Sequence, residues 1–131
     1  MSTYGRPYER IAAHVAVAAS EAAIDRVARS FPSARLDDAM SIARTLQKEL
    51  DGRRDGGPTF RKLADLRRWS ERKPDPVRAA VASLATANEA VLAHTLHTDP
   101  TVPAGQAIER AVEAGIGRAE IDEIVRLARF R

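Results

Sequence analysis

A chain of 131 residues points to one compact domain, long enough to bury an ordinary core without metals or disulfides. It contains no cysteine, which excludes disulfides, thiolate nucleophiles and cysteine-ligated zinc or iron–sulfur centres. The net charge is +3 with a pI near 9.8, and no apolar run approaches the roughly 20 residues that a membrane span needs.

Alanine is the commonest residue, and alternating runs of strand formers are scarce. These features predict an all-α protein, a single compact bundle of five or six short helices over residues 1–131. The apolar stretch Ile11 to Ala23 resembles a short signal core. Glu9, Arg10, His14 and Ser20-Glu21 interrupt or flank it, so it reads as a buried helix of a cytoplasmic protein.

The first helix is expected from about Pro7 to Ser30. Ile11, Val15, Ala18 and Ala22 form one stripe, and Val17, Ile24, Ala28 and Phe31 another, with alanines between. A helix apolar over so much of its circumference belongs at a bundle centre or at a subunit interface. On the second alternative, the chain is a homo-oligomer or part of a larger assembly through the alanine-rich helix 7–30. Phe31-Pro32-Ser33 breaks the helix, and Ser33 can cap a second one from Ala34 to Leu50, where Leu36, Met40 (or Ala39), Ala43, Leu46 (or Gln47) and Leu50 keep the 3.6 period. Residues 51–58, with three glycines and Arg53-Arg54, read as a flexible loop.

Thr59 can cap a third helix, Phe60 to Ser70, with Phe60, Leu63, Ala64 and Leu66 on its apolar side. Asp75 can cap a fourth, Pro76 to about His97, with Pro76 in the first turn where no N–H is needed. Asp99 to Pro103 reads as a stiff turn. Two more helices are expected at Ala104–Ala114 and Arg118–Phe130, forming a hairpin over about 104–130.

Within that hairpin, Ala111, Gly115-Ile116-Gly117, Ile121 and Ile124 fall at spacings that allow close helix crossing, a left-handed turn and an apolar wedge. This pattern resembles the core of helix-turn-helix DNA-binding proteins, over about 25 residues. The resemblance implies a transcriptional regulator whose second helix reaches bases through Arg118, Ala119, Asp122 and Glu123. The same residues also suit a plain helical hairpin with a glycine C-cap, and Glu120, Asp122 and Glu123 would stand close to phosphates. The stretch further resembles the C-terminal part of carboxymuconolactone decarboxylase-like proteins, with Asn88 to Thr95 similar to their active-site helix. The redox members of that group use cysteines, which this chain lacks.

Charge concentrates in the middle. Arg53, Arg54, Arg61, Lys62, Arg67, Arg68, Arg72, Lys73 and Arg78 stand against Asp55, Asp65, Glu71 and Asp75, an excess of +5 within a chain of +3. Such a patch focuses a field toward an anionic partner, either a nucleic-acid phosphate backbone or an acidic protein surface. Trp69 among these arginines suggests a stacking platform for single strands, or alternatively an anchor of the third helix in the core. His94 and His97 share a helix face, but a metal site needs a third convergent ligand. No phosphate-cradling glycine motif and no nucleophile elbow occurs.

The sequence therefore predicts a non-enzymatic protein without cofactors. It would bind nucleic acid through Arg53, Arg54, Arg61, Lys62, Arg67, Arg68, Trp69, Arg72, Lys73 and Arg118. The competing expectation is a helical adaptor that binds another protein and no nucleic acid.

Overall fold

Two alanine-rich helices form the centre around which the chain is organised. The computed structural model describes residues 5–52 and 59–130, with side chains at 11–52 and 61–130. Its helices are α1 (Gly5–Ser30), α2 (Ala34–Leu50), α3 (Thr59–Ser70), α4 (Asp75–Thr95), α5 (Thr101–Glu113) and α6 (Arg118–Ala128), and no strand occurs among the described residues. Arg53 and Arg54, with most of the expected 51–58 loop, lie outside the described residues.

α1 and α4 pack on each other and on α5. α2 and α6 lie against α1, and α3 lies against α4 and α2. Alanines supply much of the buried surface of these helices: Ala13, Ala16 and Ala19 of α1, Ala80 and Ala87 of α4, and Ala107 of α5 are all fully buried. Methyl groups at crossings let helix axes approach toward the short end of the usual range, about 8 Å. Ile24, Leu36, Leu46, Leu66, Leu84 and Ile116 fill the remaining gaps, and one contiguous apolar cluster joins residues of all six helices. Polar ties cross it. The Ser83 hydroxyl of α4 donates to the Ala107 carbonyl of α5 at 2.7 Å, and His14 Nδ1 lies 3.1 Å from Gln47 Nε2, joining α1 to α2.

α1 is thus the bundle centre. From Ile11 to Ile24 every side chain is buried or half-buried, and exposure begins at Asp25. Contacts with four neighbouring helices bury most of its described apolar circumference and leave Ile11, Ala12, Ala18, Ala22 and Ala28 half-buried.

The helix ends follow from local chemistry and depart from the sequence reading at several places, α6 ending at Ala128 rather than Phe130 among them. Ser33 is extended at φ −160° and its hydroxyl accepts the Arg35 N–H at 3.1 Å, as a capping serine should. Asp75 is the first residue of α4 rather than its cap. Pro74 holds the cap position, and the Asp75 carboxylate pairs with Arg78 one turn on. α4 stops at Thr95, two residues early. Thr98 N–H bonds the Ala93 carbonyl and His97 N–H bonds that of His94, a Schellman closure with His97 at φ +57°. A side chain in that region is strained, so His97→Gly is expected to raise stability by about 0.5–1 kcal/mol, read as a thermal midpoint a few degrees higher. An unchanged or lower midpoint would contradict the strain.

α5 starts three residues early, at Thr101. The first four N–H groups of a helix have no internal partner, so Pro103 in the first turn loses nothing. Asp99 accepts both the Thr101 N–H, at 2.9 Å, and the Thr101 hydroxyl, and these bonds hold its carboxyl below its ordinary value. A carboxylate with a lowered folded-state pKa adds stability above its unfolded pKa, and that stability is lost as pH falls through the folded value. The melting difference between the wild type and Asp99→Ala should therefore be present at neutral pH and shrink below about pH 4. A difference that does not change with pH would contradict the assignment.

The turn between α5 and α6 is a second Schellman closure. Ile116 N–H reaches the Ala111 carbonyl, and Gly115 N–H that of Val112. Gly115 sits at φ +113°, and a Cβ there would meet Arg26 Cδ at 3.2 Å, so only glycine suits the position. Ile116 and Ile121 are buried and Ile124 is half-buried, but α6 takes α1 as its main packing partner rather than α5, so the expected wedge between the two helices of the hairpin is not what these residues fill.

Candidate functional site

α3 owes its position to a buried strip of Leu63, Leu66 and Ser70, the serine hydroxyl bonded to the Arg67 carbonyl at 2.7 Å, with Trp69 half-buried beside them. Everything else described on the helix is exposed. On a 3.6-residue period Arg61 and Arg68 fall opposite the buried strip, two turns or about 10 Å apart on the outward ridge. Asp65 lies between them and pairs loosely with Arg68 at 3.8 Å. Lys62 falls on the flank that carries Trp69, and Arg67 on the opposite flank. Arg72 and Lys73 are exposed in the turn that follows.

From Arg61 to Arg78, seven exposed cations (Arg61, Lys62, Arg67, Arg68, Arg72, Lys73, Arg78) stand against Asp65, Glu71 and Asp75, a local excess of +4. Among the described residues, only Arg68 and Arg78 are engaged by a carboxylate. Arg61, Lys62, Arg67, Arg72 and Lys73 form no ion pair with a described residue. Helix α3 therefore gathers Arg61, Lys62, Arg67 and Arg68 together with Trp69, and the turn after it adds Arg72 and Lys73.

Trp69 anchors α3 in part, and its outer ring face carries a cation. One portion of the ring packs against the core cluster, and the Lys73 ammonium lies over the ring 5.0 Å from its centroid. A cation held by the ring quadrupole sits where a stacked base would go, so stacking on Trp69 requires Lys73 to swing aside. Arg118 is not brought to this group. It is exposed at the head of α6, a helix packed on α1, whereas α3 packs on α4 and α2. Around it Glu120 pairs with Arg26 at 3.1 Å, and Glu123 with Arg126. The Arg126 hydrogen bonds hold the Glu123 carboxyl below its usual range.

A groove runs over the N-terminal half of α4. Its larger cleft, about 600 Å³, is lined by Asp75, Arg78, Ala79, Ala82, Arg110 and Glu113. A smaller one, about 380 Å³, shares Arg78 and Ala82 and adds Arg67, Ser70 and Glu71 from the end of α3. The sequence reading missed Arg110 and Glu113 here. They pair with each other at 2.8 Å, and only the packing of α5 on α4 carries them next to the basic middle.

Among the described residues no group of three His, Cys, Asp or Glu side chains could hold a metal ion, and no helix is long and apolar enough to cross a membrane. No family model, curated protein or solved structure matches this chain.

Proposed function

We propose that the chain is a small non-enzymatic protein that binds the phosphate backbone of nucleic acid through the exposed cations of α3 and the turn after it. One observation carries the reading: five cations from Arg61 to Lys73 stand exposed, and no carboxylate among the described residues engages them. Exposed, unpaired cations hold counterion-attracting potential, and phosphates repay it by releasing their own condensed counterions. Arg61 and Arg68 would contact phosphates on the ridge. Lys62, Arg72 and Lys73 would contact them on the Trp69 flank, and Arg67 on the groove side. Arg53 and Arg54 adjoin this segment in sequence.

In this reading the α5–α6 hairpin packs rather than reads bases. The exposed positions of α6 carry Glu120, Asp122 and Glu123 beside Arg118 and Arg126, so they offer phosphates no net attraction. The test is fluorescence anisotropy of labelled duplex DNA, single-stranded DNA and RNA at about 50 and 200 mM salt, the interval over which several phosphate contacts cost orders of magnitude in affinity. Tight binding at the lower salt that fades at the higher is the expected result.

A second reading, a helical adaptor, draws on exposed apolar side chains elsewhere. Leu96 and Val102 flank the α4–α5 turn at 62% and 69% exposure, and Leu127 and Phe130 end α6 at 53% and 80%. A protein partner held through such residues, or an acidic partner that uses them beside the α3 cations, would leave nucleic acid unbound. An apolar contact would also be nearly insensitive to salt.

A further inference from the structure

The groove over α4 differs in chemistry from the α3 ridge beside it. Arginines reach it from three helices, Arg67 from α3, Arg78 from α4 and Arg110 from α5. Three carboxylates, Glu71, Asp75 and Glu113, line it as well. Its formal charge is therefore balanced, which makes it a poor trap for phosphate. Its floor is small and apolar, made of Ala79, Val81 and Ala82.

Balanced charge, planar guanidinium groups and an apolar floor suit a neutral, flat, hydrogen-bonding ligand. A nucleobase has those properties. Guanidinium planes stack on bases, and carboxylates accept from exocyclic amino groups. Arg67 and Glu71 lie four residues apart in the smaller cleft, and neither forms an ion pair with a described residue, so both are available. The cleft volumes fall within the roughly 300–1,000 Å³ of small-ligand sites. In a duplex the bases are paired and stacked inside the helix, so only an unpaired base could enter.

We infer that this groove takes unpaired bases of a single-stranded nucleic acid whose phosphates lie along α3. The two surfaces are continuous, because Arg67 belongs to both. The inference rests on the phosphate-binding role proposed for α3 and adds to it a preference for single strands and a base-contacting part for Arg110, which lies more than 30 residues beyond the basic segment.

Ala82→Leu fills the groove floor without changing charge, and Arg110→Ala removes one wall at an exposed position. Each full-length variant is titrated against a labelled single strand of about 12 nucleotides and against the corresponding duplex, at about 50 mM salt. The wild type should prefer the single strand. Each variant should lose at least about fivefold of single-strand affinity, the effect of one stacked base, and keep its duplex affinity within about twofold. Thermal melting checks that Ala82→Leu is folded, and Arg110→Ala carries the test if it is not. Variants that bind the single strand as the wild type does, or a wild type that prefers duplex, overturn the groove inference and leave the α3 reading standing. A wild type that binds neither probe overturns both and points to a protein helix as the occupant.

Discussion

Replacing Arg61 and Arg68 together with glutamate is expected to weaken nucleic-acid binding by about one to two orders of magnitude at about 50 mM salt. Both positions lie on the outward ridge of α3, opposite the buried strip of Leu63, Leu66 and Ser70, and both are exposed. Each lost phosphate contact should also flatten the logarithmic salt dependence by about 1, so the double variant should lose about 2 from its slope. Stability should stay within about 0.5 kcal/mol, because neither side chain packs in the core and the Arg68–Asp65 pair, at 3.8 Å and exposed, contributes little. Anisotropy titrations at several salt concentrations, with a thermal melt as the folding control, measure both effects. An unchanged slope in the double variant would remove the α3 ridge from the account.

Leu84→Ala is expected to produce the largest loss of stability, about 2–5 kcal/mol, or a drop of the order of 10 °C in thermal midpoint. Leu84 is fully buried on α4, in a core cluster rich in alanine. The cost of a deletion depends on how well neighbours close the void, and alanines have no side-chain freedom with which to fill it. A loss under about 1 kcal/mol would mean that α4 can shift to close the space, and that the alanine-rich core does not hold the helices rigidly.

Most of the helix pattern was legible, because the punctuation is local. Ser33 caps α2, Pro76 falls in the first turn of α4, and Gly115 holds the only backbone conformation that closes α5 onto Ile116. The misplaced ends share a cause. Pro103 looks like a breaker but is tolerated where helical N–H groups have no partner anyway, and His97 takes a left-handed turn that sequence alone assigns to glycine. The two roles open to α1 were also indistinguishable in sequence, since a helix apolar on all sides reads the same at a bundle centre and at a subunit interface.

The candidate site was legible in part. The cations cluster in sequence between Arg61 and Arg78, and α3 exposes them because its apolar strip is narrow. Their division into ridge and flanks needed the helix phase fixed by Leu63 and Leu66. The groove needed more. Arg110 joins Arg67 and Arg78 only through the packing of α5 on α4, and no local signal encodes that meeting. Arg118, grouped with the others on charge alone, stands apart because α6 packs on α1.

The most direct test of the central claim is the slope of log affinity against log salt for the wild type with duplex DNA between about 50 and 200 mM. Three to five phosphate contacts from the exposed cations of α3 and the turn after it predict a slope between about −3 and −4.5. A slope near zero, or no binding at the lower salt, would contradict the account and leave the exposed apolar side chains at Leu96, Val102, Leu127 and Phe130 as the surface where a protein partner should be sought.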